Sequence, residues 1–139
     1  MAKAARRAVI SKVTAMVSPT QIAFGIRRAA EAAAHAARIY VASLQPGQTF
    51  LNLDFGNAFN TLSRDAILNY VATDLPEIQN FVKVCYDQSS PLCFGDYLLL
   101  SGEGAQQGDP LGPLLFCLTT RRLTRNISSE LTCGSSTMV

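Results

Sequence analysis

Paired acids are missing from this chain of 139 residues: it contains no Asp-Asp, and no Asp follows Asp109. A site that binds two divalent cations through clustered carboxylates therefore has few donors to draw on. Tryptophan is absent, and His35 is the sole histidine. The four cysteines, Cys85, Cys93, Cys117 and Cys133, form no C-x-x-C pair. With one histidine to complete a ligand set, no zinc site is expected. No secretory leader pattern opens the chain, so reduced thiols in an intracellular protein are expected, with nucleus and cytoplasm not distinguished. No apolar run approaches the roughly 18 residues of a membrane span, so no membrane partner is expected. Acids are also missing at the start, where Lys3, Arg6, Arg7, Lys12, Arg27 and Arg28 all precede Glu31. Such a stretch suits nucleic-acid phosphates. It also suits a mitochondrial targeting helix, but it runs into the next helix without a cleavage-like break.

The composition, 48% hydrophobic and 16% charged, is that of a chain that forms a core, and the length suits about one domain. A net charge of +2 implies no polyanion partner by itself. In order, residues 2–17 predict a helix with Ala5, Val9, Val13, Met16 and Val17 near one face. Ser18-Pro19 breaks it, and an alanine-rich helix is expected over roughly 20–44. Gln45 to Gln48 is a turn. Ser63 reads as the N-cap of a helix over about 64–73, with Asp65 in its first turn. A further helix starting at 74–77 carries Ile78, Phe81, Val82 and Cys85. Residues 92–94 and 97–100 form a hairpin about Gly95-Asp96. Leu111, Leu114, Leu115 and Leu118 then recur at the spacing of a helix. The tail after Arg125 is expected to fray.

Two stretches carry chemistry. In Thr49-Phe50-Leu51-Asn52-Leu53-Asp54, apolar and polar residues alternate with the period of a half-buried strand, and Asp54 stands at its end. Gly56-Asn57 supplies turn residues after it. An acid held at a strand end is a metal-ligand candidate, although a lone Asp there also suits an ordinary turn. In Gly104-Ala105-Gln106-Gln107-Gly108-Asp109-Pro110-Leu111-Gly112-Pro113, a glycine allows close backbone approach and a helix N-terminus offers unpaired N–H donors. Asp109 reads as a helix N-cap rather than as a ligand.

Together these stretches resemble the palm of a reverse transcriptase, most closely that of non-LTR retrotransposons. Asp54-Phe55-Gly56-Asn57-Ala58-Phe59-Asn60 is similar to the first catalytic motif of that family. Gln106-Gln107-Gly108-Asp109-Pro110-Leu111-Gly112-Pro113-Leu114-Leu115-Phe116 is similar to its template- and nucleotide-positioning motif. The segment from Ser18 to Arg28 resembles the join between fingers and palm. The resemblance covers about residues 10–125 and implies an RNA-directed DNA polymerase, a nucleotidyltransferase acting on an RNA template, a DNA primer and deoxynucleotides. It implies that Asp54 is catalytic and bridges two Mg2+ ions, with the Phe55 carbonyl as a further ligand. Phe59 becomes the gate that collides with a 2′-OH. Gln107 and Gly108 contact template or nucleotide, and Arg27 or Arg28 faces nucleic acid or the incoming triphosphate.

The family's aromatic-x-Asp-Asp hairpin has no counterpart here, and only Glu130 follows Asp109 as an acid. One carboxylate does not hold two magnesium ions against their hydration. The expected fold is therefore α+β, a partial polymerase palm with part of the fingers. Residues 1–139 are read as one incomplete domain, with 126–139 a frayed tail. The expected function is that of a retroelement polymerase fragment inactive alone. The alternative is a non-enzymatic nucleic-acid-binding or interaction module derived from a palm.

Overall fold

A computed structural model describes residues 1–18, 20–21, 24, 28–53, 55–106, 108–125 and 127. Among them are five α-helices, one 3-10 turn and one two-stranded antiparallel sheet, an α+β arrangement. The order is α1 (Ala2–Val17), α2 (Ala29–Ser43), α3 (Arg64–Asp74), a 3-10 turn (Pro76–Ile78), α4 (Gln79–Tyr86), β1 (Ser90–Phe94), β2 (Tyr97–Ser101) and α5 (Gly112–Arg125).

The core is helical. Val9, Val13 and Val17 recur every four residues along α1 and are buried, with Ala5 and Met16 beside them. They meet Ile67 and Val71 of α3, Val82 and Tyr86 of α4, and Leu111, Leu114, Leu115 and Leu118 at and along α5. Helix α5 lies centrally, packing on both α1 and α3. Each such leucine contributes about 1.5–3 kcal/mol by leaving water. Ser63 caps α3 as expected, its Oγ accepting from the Ala66 N–H. Asp109 is not the N-cap that the sequence suggests, because α5 starts three residues later at Gly112; it closes the preceding turn instead, its Oδ1 accepting from the Leu111 N–H at 2.9 Å and its carbonyl from the Gly112 N–H.

The hairpin is one residue longer than expected at its far end and two at its start, so Ser90 and Pro91 belong to β1. Gly95 has φ +58° and Asp96 is not in the positive-φ region, which suits a two-residue turn whose first position needs glycine. Pro91 lies opposite Leu100 and donates no hydrogen bond, which a strand at a sheet edge tolerates.

Three further expectations are corrected. Residues 49–53 form no strand: they are irregular, with Leu51 73% and Leu53 59% exposed. Alternation gives a segment two faces but not a neighbour, and the only sheet among the described residues is the hairpin. The second helix begins at Ala29, not near residue 20. Gln21 instead reaches α5, its Nε2 donating to the Cys117 carbonyl and the Thr120 hydroxyl, and Arg28 stands at φ +59°. The helix expected from residue 74 is divided at Gln79: a 3-10 turn over Pro76–Ile78 precedes α4.

Both faces of the hairpin are open, leaving Leu92, Phe94, Tyr97, Leu98, Leu99 and Leu100 exposed. With Leu51 and Leu53 also bare, the chain is expected to bind an apolar-surface dye before it is heated. Near-UV and far-UV signals should then melt at different temperatures. One sharp transition in both signals, without dye binding, would contradict this expectation.

Candidate functional site

The two motif stretches meet. The turn over residues 56–60 follows Phe55, with Asn57 rather than Gly56 in the left-handed region at φ +54°. The Asn60 and Thr61 N–H groups both donate to the Asn57 carbonyl and close the turn. Against it lies the loop between β2 and α5. The Gly104 N–H donates to the Leu62 carbonyl at 2.8 Å, and the Ala105 N–H to the Phe59 carbonyl at 2.9 Å. Gly104 has φ +70°, and a Cβ there would stand 2.5 Å from the Asn60 backbone. The loop lies flush on the turn because this residue has no side chain. The Phe59 ring, half-buried, stacks on Phe116 of α5 with centroids 4.6 Å apart and planes 18° apart.

On the other side of the loop is a second set of bonds. The Tyr86 hydroxyl donates to Asp109 Oδ2 and accepts from the Gln106 N–H. Burial foremost, then the bond to Asp109, raises the Tyr86 pKa well above the ordinary phenol value. Cys85 beside it is also raised, chiefly by burial and then by the Asp109 charge, so its thiol stays protonated.

Arg64, at the start of α3, is 6% exposed as a residue. Its Nε donates to the Gly104 carbonyl at 3.1 Å. One terminal nitrogen donates to the carbonyls of Ser101 (2.8 Å) and Gln88 (3.3 Å). The other donates to the Ser101 hydroxyl (3.0 Å) and the Glu103 carbonyl (3.3 Å). The group also stands 5.4 Å from the centroid of the Tyr86 ring. Sequence reasoning passed over Arg64 and Tyr86. A cation in the first turn of a helix opposes the helix dipole, and that misplacement was the available signal for Arg64.

Of the residues singled out in the sequence, Asp54, Gln107 and Arg27 lie outside the described residues. Phe55 is exposed, Phe59 is packed on Phe116, Gly108 has φ +82°, and Arg28 is exposed just before α2. Phe59 and the Gly104–Ala105 backbone are brought together, whereas two shallow clefts of about 380 and 290 Å³ include none of Phe55, Phe59, Gly108 and Arg28. No group of three or more His, Cys, Asp or Glu able to hold a metal occurs among the described residues. No helix among them is long and apolar enough to cross a membrane. No protein-family model, curated protein or solved structure matches the chain.

Proposed function

We propose that the chain is part of a reverse-transcriptase palm with adjoining fingers, of the non-LTR retrotransposon kind, and that it does not polymerise DNA by itself. One observation carries the reading. The stretch that resembles the first catalytic motif and the stretch that resembles the nucleotide-positioning motif lie some fifty residues apart in sequence, yet Phe59 of the first stacks on Phe116 of the second, and Ala105, directly before the second, donates its N–H to the Phe59 carbonyl. The residue proposed as sugar gate, Phe59, has its ring set by Phe116 of the second stretch. Around that join, Asp54 would supply one carboxylate, the Phe55 carbonyl a further oxygen, and Gln107 and Gly108 the nucleotide contacts. RNA template, DNA primer and deoxynucleotides are the proposed partners, and Mg2+ is the ion that the missing Asp-Asp would have helped to hold.

The experiment is primer extension by the 139-residue chain on an RNA template with deoxynucleotides and magnesium or manganese. No extension is expected, together with weak duplex binding that falls steeply with salt. Replacing Arg27 and Arg28 by Ala should lower both the affinity and its salt slope. Template-dependent incorporation that Asp54→Ala abolishes would overturn the inactivity. Binding indifferent to salt would overturn the nucleic-acid partner.

The second reading, a non-enzymatic nucleic-acid-binding module, draws on α1. That helix places Lys3, Arg6 and Arg7 in its first two turns and no acid in its first turn. Cations at the positive end of a helix dipole are unfavourable alone and are relieved by phosphate. Duplex binding that survives Asp54→Ala and Phe59→Ala but falls with Lys3, Arg6 and Arg7 replaced would favour this reading.

A further inference from the structure

We infer that Arg64 is a positioning residue that latches the β2–α5 loop onto the 56–62 turn, and so sets the wall of the proposed nucleotide site. The inference rests on the polymerase reading only for what that wall serves.

The geometry of the latch is specific to a guanidinium. Among the described residues, the partners of Arg64 are the carbonyls of Gln88, Ser101, Glu103 and Gly104, the Ser101 hydroxyl and the Tyr86 ring. They come from the end of α4, the end of β2 and the loop, so one planar fork joins three segments to the start of α3. A lysine ammonium, a single point with three rotatable donors, cannot reproduce that fan. The carbonyl side of residues 103–104 is held by Arg64, while the amide side of 104–105 donates to Leu62 and Phe59. Beyond it, Tyr86 fixes the Gln106 N–H and the Asp109 carboxylate. Gly108 therefore follows a loop fixed at both ends, and Arg64 supplies the first of these attachments. An arginine on a free surface would give its donors to solvent. This one is buried and spends its donors on the chain's own carbonyls.

The test is local amide exchange in the full chain, with chemical rescue. In Arg64→Ala, exchange at Gly104 and Ala105 should rise about tenfold, whereas the amides within α5 around Leu115 should keep their protection. Low-millimolar guanidinium should restore that protection, because it can occupy the vacated space and bond the same carbonyls. Methylammonium should not. Arg64→Lys should behave like Arg64→Ala, and Ser101→Ala, which removes one acceptor only, should give a smaller rise of about threefold. Ser101→Ala keeps the proposal testable if Arg64→Ala fails to fold.

Binding of a DNA primer on an RNA template, followed in the same samples, should fall and recover with loop protection. Exchange that rises equally throughout the chain, or that guanidinium does not reverse, would overturn the latch. So would unchanged exchange at Gly104 in Ser101→Ala and Arg64→Lys together. Loop protection that is lost and rescued in a chain that never binds the primer–template would uphold the latch and sink the polymerase reading.

Discussion

Gly104→Ala is expected to destabilise the chain by at least about 3 kcal/mol, a large part of the 5–15 kcal/mol that keeps most domains folded. Two costs combine. At φ +70° any Cβ adds on the order of 1–2 kcal/mol of backbone strain. This Cβ would also stand 2.5 Å from Asn60 Cα and from its carbonyl oxygen, and backbone cannot swing aside as a side chain can. Relief requires the loop to lift, which breaks the bonds from Gly104 to Leu62 and from Ala105 to Phe59. Gly95→Ala is the internal control: it has φ +58° but nothing within 4 Å of the added carbon. Urea midpoints of the two variants would separate strain from collision. If Gly104→Ala loses no more than Gly95→Ala, the loop does not lie on the turn as described.

Tyr86 carries the second large effect. Its ring is fully buried among α3, α4 and α5, so Tyr86→Ala should cost about 3–5 kcal/mol, chiefly through the cavity. Tyr86→Phe keeps the ring beside Arg64 but leaves the Asp109 carboxylate and the Gln106 N–H short of a partner, for about 1–3 kcal/mol. The two variants also differ from the parent in alkali. Burial first, then Asp109, holds the phenol protonated, so its folded pKa lies above the unfolded value of about 10. That contribution is fully present below about pH 10 and is lost as pH rises toward the folded value. Tyr86→Phe should therefore flatten the alkaline fall in stability, as measured by denaturant midpoints from about pH 8 to about pH 11. An alkaline limb identical in parent and variant would show that Tyr86 does not govern it.

What was legible in the sequence was local. The bounds of α1, the Ser63 cap, the Gly95-Asp96 turn and the leucine stripe of α5 each depend on residues within one or two turns of one another. What was not legible depended on distant partners. Residues 49–53 have the alternation of a strand but no described neighbour to pair with. Alanine propensity extended the second helix back to residue 20, whereas Gln21 bonds α5 some hundred positions away. At the candidate site, the glycine needed at 104 and the ring at 59 stood in the motifs already marked. Arg64 escaped because its role exists only once four carbonyls from separate segments converge on it.

Helix α2 buries only Ala29 among its fifteen residues. A helix of that length standing alone in water is near the limit at which nucleation cost and propagation gain balance. Its alanines supply the gain, and among the described residues little burial adds to it. Such a segment behaves as a thermometer: its ellipticity should slide smoothly with temperature while the core helices hold their signal. The first thing lost on warming is then the arm between Arg28 and the turn at Gln45, a melting whose heat is spread over many degrees and gathers into no peak of its own.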